Sequence, residues 1–326
     1  MNNPITPKSI SNPKKPKIID IAKYRVTQKS YKNAKERVWL VENVLPNASI
    51  GVLYGKSGSG KTTYILHLCE QILSNKRVVL TFIDADMGIE QQKEYGFERL
   101  MASYPTEFRV FNVQQNCCDV YEAILKNIVE EQNKNKNHTF VVVVDSLNKV
   151  AKKKNGFINK DALYKIERII RQNGGAVLIL HHTNKKDKFA DTQQIEDYAD
   201  YVMKCENDNI KKIISIKPEK ISRFSNTLQT KCYKYDGLKI VEEIPPYMAI
   251  SDSVTELIKS VLEQLKSGRT KQSDILEVLN RNRKIELGQN KKLELLKKIA
   301  NEHHLWHYEQ APQESNAIYY FLKDEQ

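Results

Sequence analysis

Residues 49–63 read SIGVLYGKSGSGKTT, an apolar run that leads directly into a loop of glycine, serine and lysine. The loop has the spacing GxxxxGK[ST], with a predicted strand before it and helical periodicity after it, the context in which this motif binds phosphate. Its glycines let backbone N–H groups turn towards phosphate oxygens, while its lysine reaches the β- and γ-phosphates. We therefore predict a nucleotide-binding loop formed by Gly55, Lys56, Ser57, Gly58, Ser59, Gly60, Lys61, Thr62 and Thr63.

Short apolar runs alternate with helical patterns on either side of this loop. The runs predicted to be strands are 49–54, 78–84, 108–113, 140–145 and 176–181. Because they are rich in Val, Ile and Leu at successive positions, they resemble parallel strands buried on both faces. The alternation predicts an α/β fold with a doubly wound, mainly parallel sheet. Further strands, predicted to be antiparallel because no long helices separate them, are 200–206, 212–217 and 228–235.

Acidic residues end two of the predicted strands, at the sheet edge where ligands bind in such folds. Asp145 closes the run 140–145, and we expect it to hold Mg²⁺ together with the hydroxyl of Thr62. Hydrolysis also needs a carboxylate that orients or deprotonates the attacking water. Asp84 and Asp86 stand at the end of the second strand, where alternation puts both on one side. Spacing alone does not decide between them.

Three stretches resemble a known family. TFIDADMG (81–88) is similar to the end of the second strand in RecA-type ATPases, where a motif of the form FIDAE carries the catalytic glutamate. VWLVENVLPNASIGVLYGKSGSGKTT (38–63) and LILHHTNK (178–185) resemble the RepA-type and DnaB-like helicase branch of the RecA-like superfamily. The resemblance covers about residues 36–240 and implies a RecA-like fold that uses ATP and Mg²⁺. It assigns the catalytic carboxylate to Asp86, which is one methylene shorter than the family's glutamate.

Two histidines, His181 and His182, end the strand predicted at 176–181. Neighbouring side chains on a strand point to opposite faces, so this pair cannot easily grip one metal ion. The resemblance implies that His182 senses the γ-phosphate, and we expect His181 to pack on the other side. Two structural histidines with satisfied hydrogen bonds are the alternative.

Lysines crowd the two loops that follow the Asp145 strand and the histidine strand. They are Lys152, Lys153 and Lys154 in the first loop and Lys185, Lys186 and Lys188 in the second. The resemblance implies that these loops line the channel of a ring and hold the backbone of single-stranded DNA, which lysine does without reading sequence. A solvated charge run is the alternative.

Residues 216–225, IKPEKISRFS, are similar to the Lys-and-Arg hairpin that DnaB-like proteins insert into the active site of a neighbouring subunit. We expect Arg223 to be the arginine finger and Lys220 its companion, in a hexameric ring. An exposed charge on an edge strand is the alternative.

The pattern changes after Pro245 and Pro246. Apolar spacing predicts three helices, the last over about 289–303, followed by two strands, an order that suggests a winged helix. The outward face of the third helix carries Lys291 and Lys298, which are candidates for a DNA major groove. Because residues 251–326 carry twelve basic and twelve acidic side chains, docking of a protein stays open. The predicted domains are a basic arm (1–35), an ATPase domain (36–248) and a winged-helix domain (249–326).

Composition bounds the remaining choices. The chain has 326 residues and a net charge of +12, and its first 35 residues carry nine Lys or Arg and one acid. That arm is either a solubilising tail or a contact to nucleic-acid phosphates. No apolar run is long enough for a bilayer, and five cysteines without CxxC pairs favour a reducing cytoplasm.

The combined prediction is a cytoplasmic, Mg²⁺-dependent ATPase that forms a ring on single-stranded or forked DNA. The resemblance implies a replicative helicase or translocase of a plasmid, phage or mobile element, with a replication initiator as a further partner. Two other classes stay open: a recombination or regulatory ATPase that binds DNA without unwinding it, and an assembly switch with little turnover.

Overall fold

The computed structural model describes residues 25–32, 38–113, 117–146, 152–154, 157–159, 161–183, 198–221 and 228–322. The chain divides into two units, Met1–Arg37 and Val38–Gln326. In the first unit the described residues include one exposed helix, α1 (Gln28–Lys32). All remaining elements belong to the second unit.

The second unit is built on a nine-stranded sheet with the order β13-β12-β11-β10-β3-β9-β6-β4-β5. Its strands are β3 (Ile50–Gly55), β4 (Val78–Asp84), β5 (Phe108–Asn112), β6 (Thr139–Asp145), β9 (Ala176–His182), β10 (Tyr201–Asp208), β11 (Ile213–Ile221), β12 (Lys231–Asp236) and β13 (Lys239–Ile244). Strands β10, β3, β9, β6, β4 and β5 are mutually parallel, and β11 to β13 continue the sheet in antiparallel pairs. Two small hairpins lie outside this sheet: β1 (Trp39–Val41) with β2 (Leu45–Pro46), and β7 (Lys152–Lys154) with β8 (Phe157–Asn159).

Helices cover both faces of the parallel strands, since the strands are apolar on both sides. These helices are α2 (Lys61–Leu73), α3 (Ile89–Tyr95), α4 (Phe97–Ser103), α5 (Cys117–Lys134) and α6 (Asp161–Gln172). Apolar residues of α2 and α4 form one core with one face of the sheet, and residues of α5 and α6 form a second core with the other face. The predicted doubly wound, mainly parallel α/β fold is therefore confirmed, together with its antiparallel end.

Helix α6 is fastened to the segment that leads into β10. The carboxylate of Glu167, which is fully buried, accepts hydrogen bonds from the hydroxyls of Tyr121 (2.7 Å) and Tyr198 (2.5 Å). One turn further along, Arg171 Nε lies 2.8 Å from Asp200 Oδ2, which also accepts a hydrogen bond from the backbone N–H at the start of β3. These contacts tie α6 and the start of β10 to the strand that carries the phosphate loop.

The C-terminal part of the second unit has its own apolar cluster, which includes Trp306 and Tyr320. Its elements are α7 (Asp252–Leu265), β14 (Thr270–Lys271), α8 (Gln272–Arg281), α9 (Gln289–His303), β15 (His307–Ala311) and β16 (Ala317–Phe321), with the sheet order β14-β16-β15. The three helices and two final strands agree with the sequence pattern; β14 was not foreseen. The winged-helix identification remains a prediction. None of the helices in the described part of the chain combines the length and the apolar character that a membrane crossing requires.

Candidate active site

The phosphate loop connects β3 to α2 and is shaped by its glycines. Gly58 and Gly60 have φ angles of 74° and 84°, in the left-handed region that side-chain-bearing residues rarely adopt. Gly55 is required for a different reason, because a Cβ atom there would lie 2.4 Å from the backbone carbonyl oxygen of Cys205. The loop is thus held in a tight path against the neighbouring strand β10.

Lys61 begins α2 and points back into the loop. Its Nζ donates hydrogen bonds to the backbone oxygens of Gly55 (2.9 Å) and Lys56 (2.8 Å). Burial lowers the pKa of Lys61, although the nearby Cys205 and Asp145 act in the opposite direction. The ammonium group is therefore preplaced at the loop, where an incoming anion would supply the partner that burial denies it.

Asp145 ends β6 with its side chain almost completely buried. Burial raises its pKa to about 7, Asp84 adds to the effect through charge repulsion, and Lys61 opposes it. A carboxylate held this far from water is poised for a cation, which would favour its charged form. Among the described residues, no group of three or more His, Cys, Asp or Glu side chains could hold a metal ion by itself. The donors that fit Mg²⁺ here are one carboxylate and one hydroxyl, with substrate phosphates completing the oxygen ligands.

The two aspartates after β4 have different surroundings. Asp84 is fully buried; its Oδ1 accepts hydrogen bonds from the backbone N–H groups of Asp86 (2.8 Å) and Met87 (2.9 Å), and its Oδ2 accepts one from Gln92 Nε2 (2.6 Å). Asp84 therefore holds the turn after the strand. Asp86 lies beyond the end of β4, so strand alternation does not determine the direction of its carboxylate. Only Asp86 among the two is exposed.

Strand β9 brings the histidine pair beside the loop, because it lies between β3 and β6 in the sheet. His182 pairs in register with Gly55, and its Nε2 lies 3.6 Å from Asp86 Oδ2. His181 is fully buried, as expected for the neighbour that packs on the other side of the strand. The two side chains separate as strand alternation predicts.

These groups line one cavity of about 350 Å³. Its walls are formed by Ser57, Gly58, Ser59, Gly60, Lys61, Thr62, Asp86, Met87, Gln91, Tyr95, Asp145 and His182. The structure thus brings together the phosphate loop and the predicted Lys61, Thr62, Asp86, Asp145 and His182. Gln91 and Tyr95 were not predicted from the sequence. They lie four residues apart on α3, which places them on one face of the helix just after the turn that contains Asp84 and Asp86. That spacing is the signal that could have identified them. Tyr95 also lines an adjoining cavity of about 210 Å³.

Several predicted residues lie outside the described part of the chain. They are Lys185, Lys186, Lys188 and Arg223. For Lys152, Lys153, Lys154 and Lys220 the description is limited to backbone pairing.

Lys291 and Lys298 are exposed on α9, as predicted, and Lys291 Nζ lies 2.6 Å from Glu294 Oε1. They belong to the C-terminal part of the unit, and the cavity at the phosphate loop is lined by other residues.

Comparison with known proteins gives one family match and several structural likenesses. Residues 24–89, which contain the phosphate loop, match the family described as an AAA domain. No curated relative matches the chain. The phosphate loop and the sheet agree with the predicted fold of a P-loop ATPase, and the AAA match covers the segment that carries the loop.

The solved structures with a similar chain path share little sequence. A DnaB-like replicative helicase, described with its interactions with primase, is 13% identical with a TM-score of 0.49, and the match covers 60% of this chain but only 57% of the helicase. The flagellar accessory protein FlaH from Methanocaldococcus jannaschii is 15% identical with a TM-score of 0.44, covering 61% of this chain and 91% of that chain. The RadB recombinase is also 15% identical with a TM-score of 0.44, covering 60% and 92%.

Proposed function

We propose that this chain is a Mg²⁺-dependent ATPase that acts on DNA as a ring-forming helicase or translocase of the RepA type, in the replication of a plasmid, phage or mobile element. The observation that carries the enzymatic part is the single cavity that contains Lys61, Thr62, Asp145, Asp86 and His182. That set supplies a phosphate-binding cation, oxygen donors for a metal ion, a carboxylate for the attacking water and a side chain for the γ-phosphate.

The role of each group follows from its contacts. The backbone of Gly58 and Gly60 curves the loop into a nest for phosphate oxygens, and Lys61 exchanges its two backbone carbonyl partners for the β- and γ-phosphates. Thr62 and Asp145 would hold Mg²⁺, which would neutralise charge on the phosphate oxygens. A cation at this site would favour the charged form of Asp145, whose pKa burial raises to about 7.

Asp86 is the proposed catalytic carboxylate because it is the aspartate after β4 that faces the cavity, whereas Asp84 is engaged by the turn. It orients the attacking water and accepts its proton. His182 lies close enough to steady Asp86 and to hydrogen-bond the γ-phosphate from the other side. Loss of that phosphate releases His182, and the change passes into the segment that follows β9.

The proposed finger, Arg223, follows from the resemblance, and the sheet register supports its action on a neighbouring subunit. β11 ends at Ile221, which pairs with Tyr201, and Tyr201 pairs with Gly51 near the start of β3. The phosphate loop begins at the opposite end of β3, about 13 Å away at 3.3 Å per residue. Ile221, the last described residue before the segment that contains Arg223, therefore lies at the opposite edge of the sheet from its own subunit's phosphate loop. A head-to-tail contact of this kind is heterologous and closes into a ring, which we propose to be hexameric.

DNA is the proposed substrate of the ring. The lysines at 152–154 and 185–188 follow β6 and β9, the two strands whose ends line the nucleotide cavity. Lysines in that position couple phosphate chemistry to a DNA backbone without reading sequence. The basic arm 1–35 is a further candidate contact to DNA phosphates.

The C-terminal part, residues 249–326, is proposed to be a winged helix. The order of three helices with a three-stranded antiparallel sheet supports this, as does its own apolar cluster. Lys291 and Lys298 on the exposed face of α9 are then the residues for a major groove or for a replication initiator. A cytoplasmic location fits the composition.

Strand displacement from a forked DNA duplex tests the proposal. Purified protein with ATP and Mg²⁺ is expected to release the labelled strand, and Lys61→Ala is the matched inactive control. ATP hydrolysis that DNA stimulates without displacement would instead support a recombination or regulatory ATPase. ATP binding without turnover would support an assembly switch.

A further inference from the structure

Strand β10 supports the phosphate loop from the side opposite the catalytic cavity. Its residues Cys205 and Asn207 are two positions apart, so their side chains share one face of the strand. Cys205 Sγ donates a hydrogen bond to the backbone oxygen of Ser59 at 3.0 Å, and Asn207 Nδ2 donates one to the backbone oxygen of Gly58 at 3.4 Å. Two successive carbonyls of the loop are thereby held against β10.

Asn207, near the end of β10, also contacts the turn between β10 and β11, and further polar contacts hold that turn. Its Nδ2 donates to Asn209 Oδ1 at 2.9 Å, and the Tyr235 hydroxyl donates to that same oxygen at 3.1 Å. Asp208 Oδ1 accepts hydrogen bonds at 3.0 Å from the backbone N–H groups of Ile210 and Lys211. These hydrogen bonds hold the turn in one conformation, and Asn207 connects it to the phosphate loop.

Lys211, at the far side of this turn, holds the beginning of the C-terminal part. Its Nζ donates to the backbone oxygen of Ile250 at 2.6 Å and lies 2.7 Å from Asp252 Oδ1, in the first turn of α7. Ala249, just before these residues, packs with Met248 against a small apolar cluster of the antiparallel strands. Lys211 thus connects the C-terminal part to the turn, and Met248 and Ala249 connect its beginning to the antiparallel strands.

A cavity of about 450 Å³ lies where these parts meet. It is lined by loop residues 56–59, by residues 204–209 of β10 and the turn, by Ser215 and Lys217 of β11, and by Ala249. The loop, the turn and the start of the C-terminal part therefore share one cavity, with β11 as a further wall. A shift of the loop or of the C-terminal part changes the walls of the same cavity.

We infer that Lys211 is a positioning residue for the phosphate loop, and that through it nucleotide binding and docking of the C-terminal part strengthen each other. This inference rests on the proposed ATPase function. A bound nucleotide fixes the loop, the loop fixes Asn207 and its turn, and the turn presents Lys211 to α7. Because binding free energies are reciprocal, whatever holds α7 in place also favours nucleotide at the loop.

The chain offers a matched pair of lysines for the test. Lys211→Met removes both contacts to the C-terminal part but keeps the length of the side chain. Lys212→Met makes the same chemical change at the next residue, whose Nζ lies 3.4 Å from Asp236 in an exposed pair on the sheet side. Both variants are first checked for native circular dichroism, and Lys211→Arg serves as the conservative variant.

The first measurement is the affinity for a fluorescent ATP analogue with Mg²⁺. Couplings of this kind typically change affinity by about 5-fold or more, so Lys211→Met should bind the analogue at least about 5-fold more weakly than wild type. Lys212→Met should bind like wild type, and Lys211→Arg should recover most of the loss. Asp252→Ala removes the other member of the ion pair from an exposed position, and it should weaken binding in the same direction.

The second measurement is amide hydrogen exchange in α7, which a merely structural role of Lys211 would not make nucleotide-dependent. Nucleotide should slow exchange in the first turns of α7 in wild type and Lys212→Met but not in Lys211→Met. Wild-type affinity in both Lys211→Met and Asp252→Ala, or exchange in wild-type α7 that nucleotide leaves unchanged, would overturn this inference alone. Failure of the wild-type protein to bind nucleotide would overturn it together with the proposed function.

Discussion

Replacing Asp145 by Asn is expected to stabilise the nucleotide-free protein at pH 8 while it removes a proposed metal ligand. The carboxyl group has an ordinary pKa of 3.8, and burial raises it to about 7 in the folded chain. Between these two values the folded state keeps a proton that the unfolded state has lost. The free energy of unfolding therefore falls as pH rises through this window, and the full penalty applies above pH 7.

The magnitude follows from the two pKa values. A difference of about three pH units, at about 1.4 kcal/mol each, gives about 4 kcal/mol. Asparagine carries no charge to bury. The free energy of unfolding of Asp145→Asn should therefore exceed that of wild type by up to about 4 kcal/mol at pH 8 and by almost nothing at pH 4. The same change should abolish efficient Mg²⁺-dependent hydrolysis, because the amide is a poorer ligand for a hard cation.

Urea denaturation in EDTA, followed by circular dichroism at pH 4, 6 and 8, measures this difference. Asp84→Asn is the contrasting variant: its carboxylate accepts three hydrogen bonds, and disturbing buried partners costs about 1–3 kcal/mol. The two neighbouring aspartates should therefore change stability with opposite signs at pH 8. An Asp145→Asn protein that is less stable than wild type at pH 8, or whose advantage does not change with pH, would refute the reasoning.

Three further predictions concern catalysis and DNA. Asp86→Asn should bind ATP normally and hydrolyse it at least about 100-fold more slowly, because it loses a general base; normal turnover in a phosphate-release assay would move the base elsewhere. Arg223→Ala and Lys61→Ala should each be inactive, yet a mixture of the two proteins should regain ATPase activity at mixed interfaces. A mixture of exchanging subunits that stays as inactive as its components would rule out a shared site. Charge reversal of the lysines within 185–188 to Glu should weaken binding of single-stranded DNA, measured by fluorescence anisotropy across a salt series; affinities equal to wild type at every salt concentration would remove these lysines from the DNA contact.

The parallel sheet was predictable because its strands are continuous apolar runs bounded by loop residues. β4, for example, was predicted at 78–84 and occupies Val78–Asp84. β13 was missed since Lys239–Ile244 reads KIVEEI, an exposed edge strand with charges where a buried strand has apolar residues. Because an edge strand buries few of its side chains, its sequence lacks the run of apolar residues by which buried strands are predicted.

The parts of the candidate site that belong to sequence motifs were predictable. The spacing from Gly55 to Thr63 predicts the phosphate loop, and the family resemblance favoured Asp86, but the sequence did not indicate that the turn engages Asp84. Gln92, which engages Asp84, lies eight residues further along on a helix, and no strand periodicity records that contact. The sequence indicates the role of Lys211 even less. Its partners lie about 40 residues away along the chain, and in sequence it is one lysine of an adjacent pair.

The rate of phosphate release from ATP, with and without single-stranded DNA, tests the central claim most directly. Wild-type protein with Mg²⁺ should hydrolyse ATP, DNA should raise the rate, and Lys61→Ala should abolish hydrolysis under both conditions because the loop loses the cation that binds the β- and γ-phosphates. Hydrolysis that persists at the wild-type rate in Lys61→Ala, or a wild-type rate that is indifferent to DNA, would contradict an ATPase that acts on DNA through this phosphate loop.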